Sequence, residues 1–353
     1  MLFFHTANAP GFAPGSHGRR HSLPLPALVA RWRSCAWAVF RDSFRQSAFR
    51  DSHSAIRSYG WTIFRDNFLR PTPYLRVARK PDPAQWSDRD LTAVWVGHST
   101  VLLNFCGTTI LTDPVLTERM GPPHLWRGLN LGLRRITELP LRFQDLPPID
   151  LVLLSHAHHD HWDMASLKYF TPPTEAVVPR GNSDLLPHGR FGRTTELHWG
   201  QRHRIGQITL TAIPVEHWGY RWGSEDKYRG YNGYLLEGHG KRVFFGGDTA
   251  FRDRLTGQSV DWVGRLGHRP IDLCILPIGA CYYRRNHMTP EEAWDLFHQA
   301  QGRWMMPIHW RTFILVPLDK EPIWSPLQRL HTAAGPDAHR IVAQEPGEPF
   351  ILR

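Results

Sequence analysis

The stretch LLSHAHHDHWD, residues 153–163, decides how the rest of the chain is interpreted. It continues the apolar run IDLV, and a short run of this kind is typical of a strand buried on both faces. A strand that ends here releases four histidines and Asp160 into a turn. Neutral imidazoles and carboxylates are the ligands of borderline divalent metals, and burying so many without a partner would be costly. The stretch therefore predicts a metal site at the end of a strand.

Further candidate ligands follow three later apolar strands. The segment LTAIPVEHW ends near His217, VFFGGDT carries Asp248, and WMMPIHW carries His309. Two glycines precede Asp248 and allow a close approach of the backbone. Together with the first stretch, these strands supply enough ligands for two sites that share a bridge. The candidate metal ligands are His156, His158, Asp160, His161, His217, Asp248 and His309.

Strand and helix signals alternate from about residue 91 onward. The segment LTAVWVGHSTVLLNFCGTTILT predicts three strands with a turn at Gly107. MTPEEAWDLFHQA predicts a helix with Thr289 as N-cap, Pro290 in its first turn, Glu292 completing a capping box and Gly302 at its end. This alternation predicts a layered α/β architecture with the site at the strand edge.

The first 90 residues differ from the rest in composition. They hold 14 Arg and Lys against 6 Asp and Glu, a net charge of 14 − 6 = +8 out of +10 for the whole chain. We predict a basic extension over residues 1–90, partly disordered and with an amphipathic helix at about 28–49, followed by a catalytic domain over 91–353. Such a helix can lie on a membrane surface or pack on the main domain.

Composition narrows the location and the partners. The chain has no run of about 18–20 apolar residues that would span a membrane. Its four cysteines are scattered, which predicts reduced thiols in a cytoplasmic compartment. We therefore expect a cytoplasmic protein, with a peripheral position at the inner face of the membrane as the alternative. No long inserted nucleic-acid-binding domain separates the candidate ligands, so a nucleic-acid partner is disfavoured, and oligomeric state has no sequence signal.

The ordered motifs GHST, LTDPV, HAHHDHWD, EHWG, GGDT and PIHWRTF resemble the metallo-β-lactamase superfamily. More narrowly, they resemble the branch of N-acyl-phosphatidylethanolamine phospholipase D, which is close to the ascorbate-phosphate lactonase group. The similarity covers roughly residues 91–315 and implies a four-layer αβ/βα sandwich with a dinuclear site between the sheets. By this resemblance His156, His158 and His217 hold one metal; Asp160, His161 and His309 hold the other; and Asp248 bridges them. His159 should point elsewhere.

Other residues receive roles only through this resemblance or their motif. Asp113, in TDP, is expected to hydrogen-bond a metal-bound histidine, with a turn-forming aspartate as the alternative. His98 is expected near the site, and His287 matches a substrate-facing histidine, with an exposed loop histidine as the alternative. Arg221 is a candidate for contact with a phosphate. The expected catalytic residues are Asp160, Asp248 and His287.

Two divalent ions that share a water can generate a hydroxide nucleophile at neutral pH. Zinc suits the histidine-rich set, and iron and manganese also accept it. The preferred function is a phosphodiesterase acting on a phospholipid-like or other amphiphilic substrate. Residues 119–143 alternate apolar and basic side chains and are a candidate rim for an acyl chain with an anionic head. The alternatives are a lactonase of the ascorbate-phosphate type, a metal-dependent nuclease, a redox di-iron enzyme, or a non-catalytic lipid- or partner-binding protein with a structural metal site.

Overall fold

The computed structural model describes residues 74–121, 132–221, 229–253, 255–279, 286–314 and 321–353. The predicted disorder at the N-terminus, the predicted helix at 28–49 and residues 122–131 of the predicted rim lie outside these residues. Within them, every helix is too short or too polar to cross a bilayer.

The strands form two large mixed sheets and one small two-stranded sheet. In chain order they are β1 Leu91–Gly97, β2 Thr100–Phe105, β3 Thr108–Thr112, β4 Arg119–Met120, β5 Leu133–Arg134, β6 Leu151–Leu153, β7 Glu175–Pro179, β8 Arg193–Leu197, β9 Arg202–Ile205, β10 Ile208–Ile213, β11 Gly233–Gly238, β12 Lys241–Phe245, β13 Leu273–Pro277, β14 Trp304–Ile308 and β15 Pro349–Leu352. The seven-stranded sheet has the order β15-β1-β2-β3-β6-β7-β8, and the six-stranded sheet has the order β14-β13-β12-β11-β10-β9. Strands β3, β6, β7 and β8 are parallel neighbours, as are β12, β13 and β14.

Helices are few and short in the described part of the chain. The α-helices are α1 Met164–Leu167, α2 Trp262–Leu266, α3 Pro290–Gln299 and α4 Ser325–Ala334. Single 3-10 turns occur at Pro83–Gln85, Phe143–Asp145 and Ser183–Leu185, and a longer one at Gly335–Arg340. Helix α3 packs against both α4 and β13.

The two large sheets face each other, which confirms the predicted sandwich. The hydroxyl of Tyr234 on β11 donates to the carbonyl oxygen of Leu154, just after β6, at 2.8 Å, so this side chain points toward the seven-stranded sheet. Phe244 has the opposite orientation on β12 and lies 6.4 Å from the Trp262 ring of α2. Helix α2 therefore lies on the face of the six-stranded sheet that is turned away from its partner.

A second apolar cluster covers the other face of the seven-stranded sheet. On β1, Ala93 and Trp95 belong to the core between the sheets, whereas Val94 and Val96 belong to this outer cluster, because successive side chains of a strand alternate. Within the described residues, α1 and loop residues supply this outer layer. Trp86, which the sequence assigns to the N-terminal extension, packs against the same cluster.

The predicted start of helix α3 is confirmed, and its predicted end is wrong by one position. Thr289 accepts a hydrogen bond from the backbone N–H of Glu292 at 3.2 Å, and the Glu292 side chain accepts from Thr289 N at 3.0 Å. At the other end, Gln301 adopts the left-handed conformation with φ 49°, and Gly302 N donates to Phe297 O. Gly302 is needed for space: a Cβ there would lie 2.3 Å from the Phe297 ring.

Candidate metal centre

The candidate ligands lie in loops at the ends of strands from both sheets. His156 follows β6 by three residues, and His217 follows β10 by four. Asp248 follows β12 by three residues, and His309 directly follows β14. All four side chains are buried. Because the two sheets face each other, loops from both can meet at one end of the sandwich.

One group of ligand atoms combines His156, His158, His217 and Asp248, and all of these atoms lie within 4.8 Å of one another. The Nδ1 atom of His158 lies 2.8 Å from Nε2 of His156 and 3.3 Å from Nε2 of His217. Asp248 Oδ2 is 3.8 Å from the Nε2 atoms of both His156 and His217. Three ring nitrogens and one carboxylate oxygen therefore converge on one point.

A second group combines His98, Asp160, His161 and His309 within the same limit. Asp160 Oδ2 lies 3.1 Å from His98 Nε2, 3.6 Å from His309 Nε2 and 3.8 Å from His161 Nε2. Apart from His98, this is the set that the resemblance implies for a second ion. The structure thus adds to the group a residue that the sequence placed only near the site.

The carboxylate of Asp248 lies between the two groups. Its Oδ2 is 3.2 Å from His161 Nε2, and its Oδ1 is 3.2 Å from His309 Nε2. Gly247 makes this position possible: its φ is 58°, and a Cβ there would come within 2.7 Å of Ser155 Cβ. This is the position that a ligand shared by two ions would take.

His287 joins Asp248 and His309 in a third group. Its Nδ1 atom lies 3.8 Å from Asp248 Oδ2, and its side chain is 12% exposed. The preceding residue, Asn286, receives a hydrogen bond on its carbonyl oxygen from His217 Nδ1 at 3.0 Å. His287 is therefore placed beside the candidate ligands and not on a distant loop.

Unpaired buried atoms test whether these residues suit a metal. Among the described residues, His161 Nε2, His309 Nε2, His287 Nδ1 and Asp248 Oδ1 are buried and have no hydrogen-bond partner. In the first group, ring nitrogens face one another, and only one of two facing nitrogens can carry the proton between them. Buried polar groups normally have partners, so this arrangement fits a ligand from outside the chain. Histidine nitrogens with carboxylate oxygens fit a divalent ion such as zinc.

Burial and the neighbouring charges set the protonation of the two groups. Burial lowers the pKa of His156 and His217 well below the ordinary value, and neutral imidazole is the form that binds metals. Burial alone would raise the pKa of Asp248, but the adjacent His161 and His309 hold it well below its usual range. Burial would lower the pKa of His309, yet the carboxylates of Asp248 and Asp160 raise it to about 9. The carboxylates thus require positive charge beside them, which a metal ion also provides.

Asp113 occupies the position expected from the TDP motif. Its Oδ2 accepts from Nδ1 of His161 at 2.7 Å and from the hydroxyl of Ser155 at 2.6 Å, and its Oδ1 accepts from Ser155 N at 2.7 Å. These contacts orient the His161 ring so that Nε2 faces the second group. Ser155 Oγ also lies 2.9 Å from Nδ1 of His156. Ser155 was missed by the sequence analysis, since a serine before a histidine carries no distinguishing signal.

Arg221 lies beside the turn at residues 156–161, which carries candidate metal ligands. Its Nη1 atom donates to the carbonyl oxygens of Ala157 at 2.9 Å and Trp162 at 3.0 Å. These carbonyls flank residues 158–161, so one guanidinium nitrogen joins the two ends of the turn. The side chain is buried, and its contact with a phosphate stays a prediction from the sequence.

His159 takes no part in the convergence of ligand atoms. It belongs to none of the three groups found in the described part of the chain. Its neighbours His158 and Asp160 belong to different groups, because the chain turns between them: the backbone N–H of His161 donates to the carbonyl oxygen of His158 at 3.1 Å.

Comparison with known families is consistent with this geometry. A family model described as the beta-lactamase superfamily domain matches residues 108–310. The matched range is more than half of the chain and contains all seven candidate ligands. The chain therefore belongs to the beta-lactamase superfamily. A relative from Thermus thermophilus that is 28% identical over 232 residues, covering 64% of this chain and 87% of the relative, is named a metal-dependent hydrolase.

Two relatives and one solved structure illustrate the similarity. An uncharacterized protein of Mycobacterium tuberculosis is 32% identical over 268 residues, covering 73% of this chain and 68% of the relative. The N-acyl-phosphatidylethanolamine-hydrolyzing phospholipase D 1 of Caenorhabditis elegans is 30% identical over 243 residues, covering 64% of this chain and 65% of that enzyme. The structure of a metallo hydrolase of Ignicoccus hospitalis matches with a TM-score of 0.53 and 20% identity, covering 75% of this chain and 99% of the other. Together with the family match, this structural similarity confirms the metallo-β-lactamase fold.

Proposed function

We propose that the protein is a phosphodiesterase that cleaves an amphiphilic, phospholipid-like phosphodiester at a centre of two divalent ions, zinc foremost. The observation that carries the proposal is the Asp248 carboxylate, which approaches His161 with one oxygen and His309 with the other. Asp248 also belongs to the group of His156, His158 and His217. One carboxylate is thus available to two sets of ligands.

The chain's own residues divide between the two ions. In this proposal one ion is held by His156, His158 and His217, the other by Asp160, His161 and His309, and Asp248 is common to both. Two divalent ions held by these residues would supply a nucleophile from water at neutral pH and would stabilise negative charge on the phosphoryl oxygens. The proposed catalytic residues are Asp160 and Asp248, which hold the ions in place, and His287.

The position of His287 supports contact with the substrate. Its Nδ1 atom is buried and has no hydrogen-bond partner among the described residues. It lies next to Asp248 and retains limited exposure on the solvent side. A neutral imidazole there can donate a hydrogen bond to a phosphoryl oxygen or to the leaving oxygen. Burial lowers the pKa of His287 to about 4, which favours the neutral form at pH 7.

The relative from C. elegans is named as an enzyme that hydrolyses N-acyl-phosphatidylethanolamine. Similarity to this relative supports a phosphodiester as the proposed substrate. The described parts of the candidate rim, residues 119–121 and 132–143, include the paired strands β4 and β5. Met120 and Leu133 pack with Phe313, and the Phe313 ring lies 5.5 Å from the His98 ring. The apolar rim thus extends to the edge of the second ligand group, which is where an acyl chain would need it.

Peripheral contact with anionic membranes is a further part of the proposal. Its support is the charge of residues 1–90, which is +8 by the count of 14 basic against 6 acidic residues. Exposed charges are screened over about 8 Å at physiological ionic strength. Co-sedimentation with vesicles should therefore increase with phosphatidylserine content and decrease with salt. Equal sedimentation with neutral and anionic vesicles at both low and high salt would contradict the electrostatic contact.

A panel of substrates tests the proposed reaction. The full chain, purified without chelator and loaded with zinc, is assayed on N-acyl-phosphatidylethanolamine, a nitrophenyl phosphodiester, an ascorbate-phosphate lactone and a thioester. We expect turnover of the phosphodiesters that is lost on chelation and in His309→Ala, and that is retained in His188→Ala, which changes an exposed histidine. Turnover of the lactone alone would favour a lactonase. Full metal content without turnover of any substrate would favour a binding protein.

A further inference from the structure

Hydrogen bonds of its backbone fix the position of His98. It lies in the turn between β1 and β2, and its side chain is 1% exposed. Its backbone N–H donates to Thr312 Oγ1 at 2.7 Å, and its carbonyl oxygen accepts from His309 N at 2.9 Å and from Trp95 Nε1 at 2.8 Å. The position of His98 is therefore coupled to the loop that carries His309.

The backbone of His98 is also in an unfavourable conformation. Its φ is 52°, in the left-handed region that residues other than glycine adopt only uncommonly. Such a conformation persists where the surrounding contacts determine it, and it often accompanies a functional role. Here the result is that the imidazole points into the second ligand group, with its ring centroid 4.0 Å from that of His309.

Hydrogen bonding distinguishes His98 from the other histidines of that group. His98 Nε2 lies at hydrogen-bond distance, 3.1 Å, from Asp160 Oδ2. His161 Nε2 and His309 Nε2 lie farther from the same oxygen, at 3.8 and 3.6 Å, and neither has a hydrogen-bond partner among the described residues. The Nε2 atoms of His161 and His309 are thus available to an ion, whereas Nε2 of His98 already lies within hydrogen-bond distance of the Asp160 carboxylate.

We propose that His98 is a positioning residue of the metal centre: its Nε2–H donates to Asp160 Oδ2 and orients that carboxylate toward the ion held by His161 and His309. This inference rests on the proposed metal centre. In this role His98 is a partner of a ligand and not a ligand itself. A hydrogen bond of this kind fixes the orientation of the carboxylate and thereby raises the affinity for the metal.

Two variants separate a positioning role from ligation. His98→Gln places an amide N–H near the position of Nε2 and can still donate to Asp160. His98→Asn tolerates the left-handed backbone conformation but is too short to reach Asp160 in the same way. A ligand role would be lost in both variants, because a neutral amide is a poor substitute for imidazole on zinc or cobalt.

Zinc titration of the full chain against a chromophoric chelator measures the affinities of the two ions, and visible spectra of the cobalt form report the ligand set. We expect His98→Asn to weaken one ion by about 10–100-fold and His98→Gln to recover most of that loss with a cobalt spectrum like that of the wild type. His188→Ala serves as the control histidine and should match the wild type. Thermal unfolding of each variant checks that the chain is folded.

Two results would overturn this role. If His98→Gln loses the ion as fully as His161→Ala and changes the cobalt spectrum, His98 is a ligand. If His98→Asn binds both ions like the wild type, the hydrogen bond has no effect on the centre. A wild-type chain that takes up no divalent ion would contradict the metal centre itself, and the role of His98 with it.

Discussion

The candidate metal centre and the helix pair α3–α4 differ in how their polar groups are paired. In the helix pair, Thr289 and Glu292 form a reciprocal capping box, and Arg329 forms hydrogen bonds of 2.8 and 2.7 Å with the two carboxylate oxygens of Glu291. Each of these polar groups is therefore satisfied by another part of the same chain.

At the metal centre, buried groups converge without such pairing. His161 Nε2 and Asp248 Oδ1 lack hydrogen-bond partners within the described ranges, although both are buried. A buried polar group without a partner costs free energy of folding, about 1–3 kcal/mol for each. The helix pair therefore contributes to stability by itself, whereas the strand-end loops are arranged for an ion. Substitutions in the two regions should therefore have different consequences.

The largest effect is expected from Asp248→Asn. The change keeps the size of the side chain but removes the charge that both ligand groups share. We expect metal content to fall from about two ions per chain and phosphodiester turnover to fall by at least ~10²-fold. Elemental analysis and turnover measure the two effects. Unchanged metal content and turnover would show that Asp248 has no part in a shared site.

A smaller effect is expected from Asp113→Asn, which acts one contact away from the ligands. The amide retains one oxygen, so it cannot accept from His161 Nδ1 and from both Ser155 donors as the carboxylate does. We expect the affinity for zinc to fall by about 10–100-fold. A chelator competition measures it. Wild-type affinity in a folded variant would mean that the orientation of His161 does not depend on Asp113.

Thr289→Ala tests the helix pair α3–α4, whose polar groups are paired within the chain. Removing the N-cap hydroxyl of α3 should lower the free energy of unfolding by about 1 kcal/mol. Denaturant unfolding of the metal-free chain measures this change. Zinc affinity should equal that of the wild type, because the hydroxyl that is removed accepts a hydrogen bond from the backbone of Glu292 and not from a candidate ligand. A parallel loss of metal affinity would show that the two regions are coupled.

The smallest effect is expected from Glu291→Gln. The hydrogen bond from Arg329 lowers the pKa of Glu291 to about 2, below the ordinary value of 4.5. The stabilisation is thus fully present above pH 4.5 and is lost as the pH falls through about 2. Because the side chain is 46% exposed, solvent screening should limit the effect to under ~1 kcal/mol. Unfolding of both proteins between pH 2 and 7 measures it; a difference that grows toward low pH would contradict this sign.

The parts of the molecule that local sequence determines could be predicted. The strand before His156 is recognisable because it is short, apolar and followed at once by the metal-binding turn. The start of α3 is recognisable because a capping box needs only four consecutive residues. The candidate ligands themselves were found because each follows an apolar strand, and loops at strand ends of facing sheets can converge.

Contacts between distant positions could not be predicted in the same way. His98 and Asp160 are 62 positions apart, and their hydrogen bond depends on how β1 and β6 lie in one sheet. Arg221 donates hydrogen bonds to the backbone carbonyl oxygens of Ala157 and Trp162. Every residue has such an oxygen, so the sequence does not indicate which ones Arg221 contacts. The end of α3 was misplaced because Gln301 takes the left-handed conformation that favours glycine. Each case depends on tertiary contacts and not on a local signal.

The central claim is that the turn at residues 156–161 is arranged to hold divalent ions, with His158 as a ligand and His159 as a bystander. The most direct test is to measure zinc per chain in the wild type, His158→Ala and His159→Ala, each purified without chelator and shown to be folded. We expect about two ions in the wild type and in His159→Ala, whose turnover should stay within about tenfold, and the loss of at least one ion in His158→Ala. If His159→Ala empties the site while His158→Ala retains its zinc, the assignment of ligands along this turn is wrong.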